Sequence, residues 1–396
     1  MDPVEQAGAL ALAAFGAQPQ ELDELTAYNA NPFDSRRRFA AARLPLDDEP
    51  FVAFWEQCAA EAPSRGAFQA LRGRLPQLAF PIRAGVSETA AYQAATRRGV
   101  ATAELPEATG LELQQPEGLE IVLHPTAAGR VPLLVTRCRD DFVSLVRALT
   151  RRNEPSPVPP AMGAQMVSGY VNWARLGELR RAWEAAAPGE RPTATWSAEM
   201  DRLREERDLY QDRFILLSDG PYSAVPAADL GLEEAPWRAL SLAIRREHEC
   251  SHYFTRRLFG AMRNNLLDEL IADYVGVAAA TGRLQPGWLL RFQGLDTFPR
   301  VRDGGRLAVY RGKPPLSDGA WVVAQRLACA AAANLEQFDA TRRPPLATPS
   351  DRAEIIAAVA SLRLDELAGG GACDLLDAAY AFARQAGARA AGLAPS

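Results

Sequence analysis

His248-Glu249-Cys250-Ser251-His252 is the stretch from which the fold of this chain is best read. Only three histidines occur in 396 residues, and two of them stand four positions apart with a carboxylate directly after the first. The flanks predict a helix from Glu234 to Gly260, because Pro236 suits a first turn, Gly260 suits a stop, and no Pro or Gly lies between Trp237 and Phe259. At roughly 100° per residue, both imidazoles share a stripe with Trp237, Ile244, Ser251 and Phe259, so both point inward. Glu249 lies about 100° from His248, at the stripe's edge, where its carboxylate can reach a metal-held water without being a ligand. Cys250 falls about 160° from His252 and reads as a small packed residue.

Neutral imidazole suits Zn²⁺, and a catalytic zinc takes three protein ligands plus a position for water. A third ligand must come from a neighbouring element. The run from Asn264 to Gly276 predicts a second helix ending near Gly282, with Leu266, Leu267, Leu270, Ile271, Tyr274 and Val275 forming a broad apolar arc. Glu269 and Asp273 stand one turn apart beside that arc, next to Ala272 and Gly276, whose small size admits a second helix. Asp268 borders the other side of the arc, which makes Glu269 the expected ligand. Sixteen residues separate His252 from Glu269, so the chain should turn sharply around Gly260.

HExxH followed by a helix carrying Glu-x-x-x-Asp resembles the gluzincin group of zinc metallopeptidases, including the thermolysin-like enzymes, over about residues 237–277. The resemblance implies metal ligation by His248, His252 and Glu269, with Glu249 as general base. It implies that Asp273 holds a ligand imidazole in its working tautomer. The expected reaction is hydrolysis of a peptide bond in a peptide or protein substrate by metal-activated water. In gluzincins an edge strand before the active-site helix pairs with an extended substrate, and Arg213 to Ser218 is the strand-like run in that position. A tetrahedral intermediate also wants a donor opposite the metal. Tyr222, Tyr253, Tyr310 and His124 are the candidates; Tyr222 is carried as the catalytic one, and His124, where a strand runs into a turn, reads as structural. Two rival classes use the same residues: an iron-dependent peptide-modifying oxygenase with a two-histidine, one-carboxylate site, and a non-catalytic protein that keeps the metal, or only the fold, for binding a partner.

With 48% hydrophobic residues the chain can build a substantial core and two or three domains. Net charge of -5 and a pI near 5.5 give no general attraction to nucleic acid. Lys313 is the single lysine among 44 basic residues, which leaves little room for a lysine nucleophile. The five cysteines are widely spaced with no Cys-x-x-Cys, so a disulfide framework is not expected. Met1 to Glu5 lacks the positive charge of a signal peptide and Ala7 to Ala17 is too short to span a bilayer, which predicts a cytoplasmic protein without membrane association.

Along the chain, residues 1–105 read as mainly helical. Strands are expected at Leu111–His124 and Val131–Thr136, with a helix at Asp140–Leu149. A Pro-rich break covers Asn153–Met162, and a charged helix over Ser197–Tyr210 leads into the strand at Arg213. Short strands, among them Arg306–Arg311, are expected after Gly282, followed by helices at Asp318–Phe338, Ser350–Leu367 and Asp374–Ala390. The expected fold is α+β and predominantly helical, with a zincin-like catalytic core, an upstream sheet and a helical C-terminal part. Three regions follow: an N-terminal α/β region (1–152), the catalytic region (153–285) and a helical region (286–396).

Overall fold

The helix that carries both histidines runs Glu234–Phe254, continues as a π-helical turn over Thr255–Phe259, and stops at Gly260, whose φ of 68° is the left-handed conformation that favours glycine. These features belong to a computed structural model that describes residues 3–31, 33–187, 189–260, 265–302, 305–341 and 345–390. Asn264, expected to open the second helix, and part of the turn expected after Phe338 lie outside those residues. The second helix runs Leu266–Thr281, its first turn capped by the Asn265 side chain, which accepts from the Asp268 N–H at 3.2 Å. Every residue from Leu266 to Ala278 is buried, so this helix is a core element on all sides rather than an amphipathic one.

Gly276 is the position that lets the two helices meet. A Cβ there would stand 2.7 Å from the Ile244 carbonyl oxygen and 3.4 Å from the His248 Cβ. Backbone cannot step aside as a side-chain tip can. Gly276→Ala is therefore expected to lose more to overpacking, about 1–3 kcal/mol, than the roughly 1 kcal/mol that alanine gains in helix propensity. A lower midpoint in urea unfolding checks this; an unchanged or higher midpoint would contradict the close approach.

The chain is α+β and predominantly helical, and it divides into two compact units. One unit comprises residues 1–47, 126–129 and 221–396, the other 48–125 and 130–220. The first is predominantly helical and contains both helices described above. Its longest helix, Asp318–Thr341, supplies Asp339, which accepts from the Tyr274 hydroxyl at 2.9 Å and from the Leu284 N–H at 2.7 Å. The expected helix at Ser350–Leu367 is two helices, Pro349–Val359 and Leu364–Ala368. The expected strand at Arg306–Arg311 is a 3-10 turn, Arg306–Tyr310. Leu307 and Tyr310, three apart, are its buried residues, the period of a three-residue turn rather than the alternation of a strand.

The sheet has four strands, β1 Glu120–Thr126, β2 Gly129–Thr136, β3 Ala164–Val171 and β4 Gln211–Ser218, in the order β1-β2-β4-β3. β4 runs parallel to β2 and antiparallel to β3. Buried Leu133, Leu134 and Val135 of β2, with Phe214 to Leu217 of β4, form the near-continuous apolar runs of interior strands. Around Trp55 and Phe214 the second unit packs its core, and the Trp55 indole donates to Asp212 at 2.9 Å. β1 is shorter than Leu111–His124 because Pro116 to Gly118 forms a turn before it. β3 escapes the alternation test because its register shifts between Ser168 and Tyr170, with Gly169 at φ 72°.

Among the described residues no helix is long and apolar enough to cross a membrane. All five cysteines are free thiols.

Candidate metal centre

Buried carboxylates are costly unless hydrogen-bonded or paired with positive charge, and the helix at Leu266–Thr281 buries both Glu269 and Asp273. Asp273 is saturated. Its Oδ1 accepts from the Tyr222 hydroxyl at 2.6 Å and lies 2.9 Å from His248 Nδ1; its Oδ2 accepts from Gln293 Nε2 at 2.6 Å and from Arg306 Nη2 at 2.5 Å. Four donors fill the acceptor sites of one carboxylate, leaving none for a cation. Burial would raise the Asp273 pKa, but the Arg306 guanidinium and the His248 and Tyr222 hydrogen bonds hold it well below the usual carboxylate range.

Glu269 is the reverse case. Its Oε2 is buried without a hydrogen-bond partner, and the carboxylate faces two imidazole nitrogens. His248 Nε2 lies 3.6 Å from Oε2, His252 Nε2 lies 3.5 Å from Oε1, and the two Nε2 atoms are 3.2 Å apart. Four ligands placed tetrahedrally at zinc distances of about 2.0–2.2 Å are separated by about 3.3–3.6 Å. The separations are of that size, with the two imidazoles each facing a different oxygen of the Glu269 carboxylate. His248, His252 and Glu269 are the one group of three or more His, Cys, Asp or Glu side chains among the described residues disposed to hold a metal ion. A buried carboxylate oxygen that accepts no hydrogen bond, set against two imidazole nitrogens, is a donor set that could hold a divalent cation.

His248 is oriented from behind. With Nδ1 turned to Asp273 and Tyr222, its N–H sits on that side and the Nε2 lone pair is directed at the cluster. Tyr222 arrives through a tight turn in which Ser223 and Ala224 take φ of 52° and 56°, anchored where the Tyr222 N–H donates to Ser241 Oγ at 3.0 Å and the Trp237 indole donates to the Val225 carbonyl at 2.8 Å. Two successive non-glycine residues with positive φ are a local strain that the surrounding packing sustains. The expectation of Tyr222 as the donor opposite the metal is corrected here. Its hydroxyl is engaged on the Nδ1 side of His248, 3.2 Å from Arg306 Nη1, and burial pushes its pKa well above 10.

Tyr310 takes a different position. Burial, with the charge of the Glu269 carboxylate beside it, raises the pKa of its hydroxyl so that it stays protonated. Arg306, one turn earlier, reaches Asp273, Tyr222 and, at 3.5 Å, Glu269 Oε2. It supplies the positive charge that lets two acids share this interior. Arg306 was legible only as part of an expected short strand, and Gln293 not at all. No local pattern marks either, since they reach Asp273 from 33 and 20 residues away.

Glu249 is half-buried beside the histidines. Its charge, with those of Glu269 and Asp268, acts on His252. Asp268 lies outside the group of side chains disposed to hold a metal ion. Cys250 is buried, and burial raises its thiol well above 9, in keeping with a packed, unreactive residue. His124 belongs to β1 and Tyr253 is fully buried.

The expected substrate-pairing strand is also corrected. β4 is an interior strand whose two edges are taken by β2 and β3, so no peptide can add to it.

The metal-free pair titrates in a way that competes with metal. Burial would lower the His252 pKa, but the hydrogen bond and charge of Glu269 raise it to about 9; burial would raise Glu269, but His252, His248 and Arg306 lower it to about 2. A raised His252 stabilises the fold fully below its ordinary 6.5, and this is lost as pH rises through about 9. A lowered Glu269 stabilises above its ordinary 4.5, and this is lost as pH falls through about 2. Metal needs the bare Nε2, so binding at pH 7 should release one proton, and affinity should climb about tenfold per pH unit until His252 is neutral. Calorimetric titration of Zn²⁺ in two buffers of different ionisation enthalpy measures the proton; no release would contradict the His252–Glu269 pairing.

Fold and cluster together define a predominantly helical α+β protein with a buried two-histidine, one-glutamate group able to hold a metal ion. A family profile described as a family of unknown function (DUF7005) matches residues 10–370, and the chain belongs to that family. No curated protein and no solved structure matches it.

Proposed function

We propose that this protein is a metal-dependent hydrolase with a gluzincin-type, zincin-like core, most simply a zinc metallopeptidase. The observation that carries the reading is the convergence of His248 Nε2, His252 Nε2 and the buried Glu269 carboxylate, the imidazoles 3.2 Å apart and 3.6 and 3.5 Å from its Oε2 and Oε1, with Oε2 accepting no hydrogen bond. Zinc held there would bring the pKa of its water toward about 7 and polarise a substrate carbonyl.

The chain's own residues would do the rest. Glu249, next to His248 and free of a ligand role, would take the water proton and pass it to the leaving nitrogen. Asp273, Tyr222, Gln293 and Arg306 would hold His248 in the tautomer that leaves Nε2 bare. Tyr310, kept protonated beside Glu269, replaces Tyr222 as the donor to the developing oxyanion. A two-histidine, one-carboxylate set also suits iron, and a carboxylate base at Glu249 is what favours hydrolysis over oxygen chemistry. Metal analysis of the purified protein, with peptide turnover before and after chelation, tests the proposal. About one equivalent of metal and chelator-sensitive cleavage are expected; metal-free protein that takes up no Zn²⁺ would end it.

A further inference from the structure

The last helix, Ala372–Ala390, has two apolar sides. One, with Ala372, Leu376, Ala379 and Ala383, is buried against the rest of its unit. The other is turned to solvent and carries Leu375 at 43% and Phe382 at 40% exposure, with Ala378 between them and Gln385 and Arg389 beyond. Steps of three and four residues put these five on one stripe of the helix. Exposed apolar residues are ordinary when scattered singly, but two on one stripe make a continuous strip.

Beside the C-terminal half of the strip runs a groove of about 440 Å³, between this helix and the end of the helix Ser35–Ala41. Its walls are alanines, Phe382 and Gln385, with Arg43 and Arg389 as its charged residues and no acid. Neither arginine forms an ion pair or hydrogen bond among the described residues. The same holds for Asp374, exposed beside Leu375 at the other end, and for Asp377, exposed one turn on. The remaining charge of the helix, Arg384, faces Glu354 at 3.9 Å. The strip is therefore acidic where the helix begins and basic where it ends, with apolar side chains between.

We infer that this strip is the contact between two copies of the chain, their last helices packed antiparallel about a two-fold axis near Phe382. A two-fold contact needs a surface complementary to itself, and a strip with opposite charges at its two ends is one. Antiparallel packing sets Asp374 of each copy against Arg389 of the other, whereas parallel packing would set acid on acid and base on base. Leu375 lies seven residues before Phe382 and Arg389 seven after it. With the phenylalanines at the axis, Leu375 of each copy therefore comes to the end of the other helix that borders the groove. A helix of 19 residues is about 28 Å long. That length keeps the contact at the low end of interface sizes, so the dimer should be a micromolar one. No residue of the metal cluster lies on this helix, so the contact is independent of metal and of the hydrolase reading.

Sedimentation velocity of the full-length protein, from about 1 to about 200 µM, tests this. A monomer–dimer equilibrium is expected, and it should weaken as salt rises from about 0.05 to about 0.5 M. Phe382→Glu sets two carboxylates face to face at the axis and should abolish the dimer over that range. Arg389→Asp should weaken it about tenfold, since two exposed attractions become repulsions. Asp374→Arg combined with Arg389→Asp restores opposite ends and should return the parental association. That rescue separates a lost contact from a damaged fold, and it occurs only if the two ends meet, as antiparallel helices require. A monomer at every concentration would overturn the inference and leave the strip to a different partner. An undiminished dimer in Phe382→Glu would place the contact elsewhere, and a double variant no better than Arg389→Asp would overturn the antiparallel pairing.

Discussion

Glu249→Gln is expected to reduce peptide turnover by roughly 10²–10⁴-fold, the usual contribution of a positioned general base, while leaving the metal content at the parent value. The substitution keeps shape and volume and removes only the ability to accept a proton. Glu249 is half-buried and outside the ligand group, so neither the core nor the cluster should respond. The loss should fall on kcat, with KM little changed, because the interaction is made as the water proton moves. A variant with parental turnover would remove Glu249 from the reaction and favour a metal-stabilised binding protein. A variant that also loses its metal would mean that Glu249 is a ligand, against the geometry of the cluster.

His252→Ala is expected to abolish stoichiometric metal binding. Loss of an outer hydrogen bond to a ligand typically costs 10–100-fold in affinity, and removal of a ligand itself should exceed this, roughly a thousandfold or more. Tertiary structure gives a second consequence. In the metal-free protein His252 is the positive partner of Glu269, so the variant removes that partner from a buried carboxylate and leaves it His248 and, at 3.5 Å, Arg306. Breaking a buried pair by removing one partner costs about 3–5 kcal/mol. Metal analysis and urea unfolding on the same sample read both effects. A variant that keeps one equivalent of metal would show that the ion, where present, is bound elsewhere.

The two helices and their phase were legible in the sequence because helical periodicity and the stops at Gly260 and Gly282 are local signals. A four-residue spacing puts His248 and His252 on one face whatever surrounds them, and the same holds for Glu269 and Asp273. The sequence could not assign the ligand role between those two acids by periodicity alone. That difference lies in the neighbours: four donors close on Asp273, while one Glu269 oxygen accepts no hydrogen bond. The part of Tyr222 was misread for a related reason, since nothing local says which face of His248 its hydroxyl reaches. Arg213 to Ser218 was correctly a strand, but its place inside the sheet depends on β3, a strand hidden by its bulge.

What the sequence determined by itself, then, is the pair of helices, the direction of their polar side chains, and a set of candidate ligands. What only the tertiary structure decided is the convergence of those ligands to edges near 3.2–3.6 Å, the saturation of Asp273, and the arrival of Arg306, Tyr310 and Gln293. Periodicity is a property of one segment, whereas convergence depends on how closely two segments pack, and here Gly276 sets that approach by the side chain it lacks.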